Sequence, residues 1–143
     1  MTVTIRAAQS ADRQRCMELL SMLNEANSGA GMAEIFDQLL DHSRGCVFVA
    51  EEEGSLLGLA SVSYILAMRY RGEYCQLEEL IVDPAARGKQ AGKLLVQHTI
   101  DAARARGCGE YGLYLVATTE HNQPFYEQFG ISVVGSEMRM PLT

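Results

Sequence analysis

The tightest constraint on this chain lies between Leu77 and Val96, which read Leu-Glu-Glu-Leu-Ile-Val-Asp-Pro-Ala-Ala-Arg-Gly-Lys-Gln-Ala-Gly-Lys-Leu-Leu-Val. Leu80, Ile81 and Val82 form a short apolar run with β-branched members, the pattern of a buried strand. Asp83-Pro84 stops that strand, because proline has no backbone N–H to continue a ladder. Beyond the stop, Arg87, Gly88, Lys89, Gln90, Ala91, Gly92 and Lys93 bring small residues and cations to the start of a helix, which Leu94, Leu95, Val96 and Ile100 carry into a core. The first N–H groups of a helix have no intrahelical partner and sit at the positive end of its dipole, so this strand, turn and helix make a site for a phosphate or pyrophosphate. Gly88 and Gly92 let a ligand approach the backbone, and Arg87, Lys89 and Lys93 surround it with positive charge. A P-loop does not fit: it needs four residues between its glycines and a Ser or Thr after its lysine, whereas Gly88 and Gly92 enclose three and Leu94 follows Lys93.

A chain of 143 residues, 48% apolar, is long enough for one core, and a single domain over residues 1–143 is expected. The formal net charge of −6 argues against nucleic acid and anionic membranes as partners; a local basic loop in an acidic chain points to a specific small anion. Cys16, Cys46, Cys75 and Cys108 are widely spaced in or beside apolar segments, which reads as reduced, buried thiols rather than disulfides. No paired ligands stand at close spacing, so no catalytic metal is expected, and His98 and His121 read as packed or solvated side chains. No apolar run reaches the length of a signal peptide or a membrane span, and a soluble, cytoplasmic protein is expected.

Taken in order, Val3–Ala7 alternates as a first strand, and Ser10 or Asp12 caps a helix whose apolar face is Cys16, Leu19, Leu20 and Leu23. Residues 24–31 break it, and Ile35, Phe36, Leu39 and Leu40 mark a second helix ending near Gly45. Cys46–Ala50, Leu56–Ala67 and Tyr74–Val82 read as three antiparallel strands joined by hairpin turns. The helix from about Gly88 to Arg106 leads to a strand over Tyr111–Val116, which the crossover allows to run parallel to the strand before it. A short helical turn over Gln123–Phe129, stopped by Gly130, and a largely extended strand over Ile131–Pro141 complete the order β-α-α-β-β-β-α-β-α-β.

The segment Arg87-Gly88-Lys89-Gln90-Ala91-Gly92 resembles the acyl-CoA-binding segment of the GNAT superfamily of N-acetyltransferases: Arg or Gln, two variable residues, Gly, one variable residue, then Gly or Ala. Arg87 and Gly92 match. Gln90 stands in place of the first glycine, so it must hold a backbone conformation open to a non-glycine residue. His121-Asn122-Gln123-Pro124-Phe125-Tyr126-Glu127-Gln128-Phe129-Gly130-Ile131 is similar to a late segment of the same family, and the two occur in the family's order. The resemblance spans the chain and implies the GNAT acyl-CoA N-acyltransferase fold. That fold is α/β (α+β), with a mixed, mostly antiparallel central sheet, splayed strands 4 and 5, and about four helices. It also implies acetyl-CoA as cosubstrate, with main-chain contacts from Leu80, Ile81 and Val82, a pyrophosphate site over Arg87–Lys93 and a contact from Asn122. Tyr126 would then protonate the departing CoA thiolate.

Amide formation from a thioester needs a base for the amine, a polarised carbonyl and a stabilised leaving thiolate. Glu78 and Glu79 adjoin one another on the strand, and strict alternation would send their side chains to opposite faces. Similarity to the Ile-Glu-Asp form of related strands favours Glu78 as the base, directly or through water, with Glu79 binding the acceptor or serving the structure. Carbonyl polarisation falls to a backbone N–H near Ile81 or Val82. The acceptor expected is a primary amine of a small molecule, attacked directly in a ternary complex. The resemblance is nearest to amino-sugar phosphate and small-amine acetyltransferases. A phosphorylated amine would draw on Arg6, Arg69 or Arg71, a polyamine on Glu73, Glu78 and Glu79. Acetylation of a protein or peptide amine, and a non-catalytic CoA sensor, are the alternatives. A homodimer formed through edge or C-terminal strands is also expected.

Overall fold

The computed structural model describes residues 2–23 and 31–143. Strands β1 (Thr4–Ala7), β2 (Gly45–Glu52), β3 (Ser55–Ala67), β4 (Gly72–Val82) and β5 (Tyr111–Leu113) form one sheet in sequence order. The first four are antiparallel neighbours, and β5 runs parallel to β4. Helices α1 (Arg13–Leu23) and α2 (Met32–Leu39) cover one face, α3 (Ala91–Arg106) covers the other, and α4 (Gln123–Glu127) follows β5. The break expected over 24–31 lies outside the described residues, Gly31 excepted.

Periodicity explains the layers. On α1, Cys16, Leu19 and Leu20 recur at helical spacing and are buried against Val47, Val49 and Leu59 of the sheet; Leu23, expected on the same face, is exposed. On α3, Leu95, Val96 and Ile100 meet Phe48, Ala60, Val62 and Leu77 on the opposite side. Cys16, Cys46 and Cys75 are buried and Cys108 half-buried, all as free thiols. Among the described residues no helix is long and apolar enough to cross a membrane, and no group of His, Cys, Asp or Glu is placed to hold a metal ion.

The feature that shapes the rest is a register shift in β4. Val62 of β3 faces Leu77, but the next β3 residue, Ser61, faces Glu79, so Glu78 is an extra residue in the ladder. A bulge of this kind bends the strand and interrupts its alternation. Before it, Cys75 and Leu77 face α3; after it, Leu80 and Val82 face α3 while Ile81 joins the α1/α2 side. The expectation that Glu78 and Glu79 point to opposite faces is thereby overturned: both lie on the side away from α3, because the parity changes between them.

Two further expectations are corrected. The strand expected over Tyr111–Val116 ends at Leu113, since β4 pairs with it only from Cys75 to Leu77 and diverges past the bulge. The segment expected as strand over Ile131–Pro141 forms none. Ser132–Glu137 and Leu113–Leu115 both line a cavity of about 510 Å³ and share no ladder pairing among the described residues. Met138, Met140 and Leu142 keep a period of two and are all exposed. Alternation marks an extended chain without supplying its partner.

Candidate active site

The pieces of the site meet where β4 ends. Asp83 takes its N–H to the Leu57 carbonyl (2.8 Å) and caps the following turn, accepting from the Ala85 N–H at 3.0 Å. Arg15 of α1 reaches across to Asp83 (2.8 Å) and to the Leu56 carbonyl (3.2 Å), which braces the loop from α1. These bonds to the Ala85 amide and to Arg15 hold the Asp83 carboxyl below the usual range. Sequence reasoning read Asp83 only as a strand stop and did not single out Arg15.

The loop then turns through Gly88, at φ +86°, and Gln90, at φ +60° and ψ +22°. The second value lies in the small left-handed region that a non-glycine residue can occupy, which is how Gln90 stands where a glycine is usual. Gln90 begins α3 without a side-chain cap, and the first helical bond recorded runs from the Leu94 N–H to the Gln90 carbonyl. The amides of Ala91, Gly92 and Lys93 therefore have no backbone partner among the described residues, at the positive end of a 16-residue helix. Arg87 and Lys93 are exposed beside them and form no ion pair among the described residues. Lys89 differs: its ammonium is held by Glu52 at 2.7 Å.

Gly92 joins three elements. A Cβ built there would lie 3.7 Å from Val82 Cγ2 and 3.8 Å from Phe125 Cζ, so the first turn of α3 touches both the end of β4 and α4. Phe125 packs edge to face on Tyr126 and Phe129, and Asn122 stands at the N-terminus of α4. Tyr126 is half-buried, and burial raises its phenol above the ordinary value. Nearby Tyr111 bonds Thr99 at 2.9 Å, and burial raises it too.

Between these elements lies a gap in the sheet. Past the bulge, residues 79–82 of β4 are paired to β3 on one side and, among the described residues, have no strand on the other, because β5 stops at Leu113. Leu80 and Val82 thus combine core side chains with backbone groups turned to the open edge, while Ile81 between them turns its own to β3. Glu79 is half-buried, bonded to the hydroxyl of buried Ser61, while Glu78 is exposed. Burial raises the Glu79 carboxyl, the Ser61 bond opposes this, and the neighbouring Glu78 charge adds to it.

Other charged candidates are engaged elsewhere. Arg6 is held by Asp12 and Glu51 (2.8 Å each), and Arg106 grips Glu73 at 2.7 Å. Arg69 lies over the Tyr70 and Tyr74 rings.

A sequence profile of the Acetyltransferase (GNAT) family matches residues 13–131. The chain belongs to the GNAT family. This GNAT protein is 29% identical over 144 aligned residues to glucosamine 6-phosphate N-acetyltransferase of Trypanosoma brucei brucei, covering 96% of this chain and 95% of that protein. It is 31% identical to the enzyme of that name from Arabidopsis thaliana, over 92% and 91% of the two chains. The crystal structure of the Arabidopsis thaliana glucosamine-6-phosphate N-acetyltransferase superposes with a TM-score of 0.81, at 26% identity and full coverage of both chains. The GNAT protein is accordingly an N-acetyltransferase.

Proposed function

We propose that this enzyme transfers the acetyl group of acetyl-CoA to the primary amine of a small molecule, by direct attack in a ternary complex. The observation that carries the reading is the unpaired edge of β4 over residues 79–82, lying against the uncapped start of α3. The uncapped amides of Ala91, Gly92 and Lys93, with exposed Arg87 and Lys93, suit a diphosphate. Gly88 and Gly92 leave the backbone open to it, Gln90 and Ala91 shape the turn, and Lys89 ties the loop to Glu52. The N–H and C=O groups of Leu80 and Val82 point away from β3, because those of Ile81 and Asp83 point towards it, and they suit the amides of pantetheine on either side of Ile81; Asn122 lies at the head of α4 to add a contact.

Acetyl-CoA supplies, when bound, an acetyl thioester whose carbon–sulfur bond is exchanged for a carbon–nitrogen bond to the amine. Glu79, which the bulge turns to the face covered by α1 and α2, takes in this reading the role of base that the resemblance favoured for Glu78: it accepts the amine's proton, directly or through water, and exposed Glu78 assists in binding the acceptor. A backbone N–H near Ile81 or Val82 polarises the carbonyl. Tyr126 gives its proton to the leaving sulfur, and its raised phenol pKa keeps it protonated beforehand. Solvent then returns Tyr126 and Glu79 to their starting forms. A covalent acetyl-cysteine route is disfavoured, because burial holds the Cys75 thiol up at about 12.

The relatives' names direct the acceptor search first to amino-sugar phosphates. Free-thiol release from acetyl-CoA, measured across amino-sugar phosphates, aminophosphonates, polyamines and peptides, tests the reading. Turnover of a small amine is expected; turnover of peptides alone, or none with CoA still bound, would replace it with a protein acetyltransferase or a sensor. The reading also takes the protein as cytoplasmic and homodimeric. Exposed Val134, Met138, Met140 and Leu142, on a segment that pairs with no strand among the described residues, support a second copy, which light scattering tests.

A further inference from the structure

The bulge at Glu78 does more than open the sheet. Had β4 kept its alternation from Cys75 and Leu77, Glu79 would face the apolar layer under α3, where Leu77, Leu95 and Val96 offer no hydrogen-bond donor. The extra residue turns Glu79 to the other face and sets it directly across from Ser61 of β3. Ser61 is 4% exposed, one of only two buried polar residues among the described ones, and its Oγ donates to Glu79 Oε1. Glu79 Oε2 makes no hydrogen bond among the described residues. One carboxylate oxygen is thus held from below, and its twin is left for an incoming group.

We propose that Ser61 is a positioning residue for the base: its hydroxyl fixes the rotamer of Glu79 by holding Oε1, and aims Oε2 at the acceptor amine. This rests on Glu79 being the base. A bond to one oxygen of a carboxylate favours the charged, proton-accepting form and removes a rotational freedom that would otherwise be lost at each turnover. Among the described residues no other side chain does this. Glu78 on the same strand is a like charge; on α1, Arg15 pairs with Glu18 and Asp83; on α2, Asp37 is held by Arg13, and Glu34 makes no bond to Glu79.

The test uses the ligand-free protein as well as the working enzyme. In Ser61→Ala, the side-chain carboxyl titration of Glu79, followed by carbon-13 NMR without ligand, moves upward, because the bond favouring the carboxylate is gone. In turnover, kcat falls roughly tenfold while KM for acetyl-CoA stays, the size expected for losing a hydrogen bond to a charged group. Ser61→Cys, with a weaker donor of similar size, falls between. Ser63→Ala, two residues along the same face, leaves titration and kcat unchanged. An unmoved Glu79 midpoint in Ser61→Ala, or a loss confined to melting temperature, overturns the proposal. If instead Glu79→Gln turns over at the wild-type rate, the assignment of the base fails, whatever Ser61 does to the titration.

Discussion

From Glu73 to Leu77, β4 has neighbours on both sides: β3 on one, and on the other the stretch from Gly109, whose N–H bonds the Glu73 carbonyl at 2.8 Å, to Leu113. Past the bulge at Glu78, from Glu79 to Val82, it keeps only β3. Both stretches are rich in β-branched or other apolar residues, and both place side chains in the core, yet only the second leaves backbone groups without a strand to meet them. The difference teaches that a site of this kind is made by subtracting a partner from an ordinary strand. The subtraction begins at one extra residue, Glu78, which bends β4 away before β5 can follow.

The sharpest way to break that comparison is to truncate one core side chain in each half. Leu77→Ala should lose about 3 kcal/mol of stability in urea unfolding, the usual cost of a cavity in a packed core. Leu80→Ala, only partly buried at the open half, should lose about 1 kcal/mol. Equal losses would mean that the two halves are equally part of the core and that the gap is not a distinct region.

Next in size is chemistry at the gap. Tyr126→Phe should lower kcat about 100-fold while CoA affinity by calorimetry stays within about twofold, as expected for losing a proton donor that acts in the transition state. A fall in affinity with kcat preserved would make Tyr126 a packing residue alone. Smaller again, Arg87→Ala should raise KM for acetyl-CoA about tenfold with kcat unchanged, and the effect should shrink in high salt, because an exposed cation contributes a screened attraction. Lys89→Ala should do less, since Lys89 already pairs with Glu52.

The smallest effect concerns pH. Burial raises Glu79 in the folded protein, so the native state binds more protons than the unfolded chain between the ordinary glutamate range and the raised folded value. The contribution of Glu79 to stability is therefore fully present below the unfolded value and is lost as pH rises through the folded one. Glu79→Gln should gain stability relative to wild type as pH rises across that window. A constant difference in melting temperature from pH 4 to 8, an interval of roughly four units around the glutamate range, would show that Glu79 is solvated.

Much of the arrangement was legible beforehand, and the misses have a common cause. Pro84 and the apolar run before it announce the end of β4, and Leu94, Leu95, Val96 and Ile100 announce α3, because the signals lie within a few residues of what they specify. Arg87, Gln90 and Gly92 could be placed at a helix start for the same reason. The face of Glu79 could not. Alternation sent Glu78 and Glu79 to opposite sides, and a bulge leaves no mark on a run that reads equally well without one. Ser61, inside an apolar stretch, carried no chemical signal until Glu79 stood across from it. Ile131–Pro141 has a strand's pattern and no strand's partner.

By itself, then, the sequence determined the local pieces: where the chain extends, where it must stop, and where a helix begins with free amides and cations around it. Tertiary structure decided how those pieces register against one another, and so on which face Glu79 lies and which serine it meets. The reason is separation. A proline or a helical stripe acts on its own neighbours, whereas the bond between Ser61 and Glu79 joins residues 18 positions apart and exists only once β3 and β4 have paired with one residue to spare.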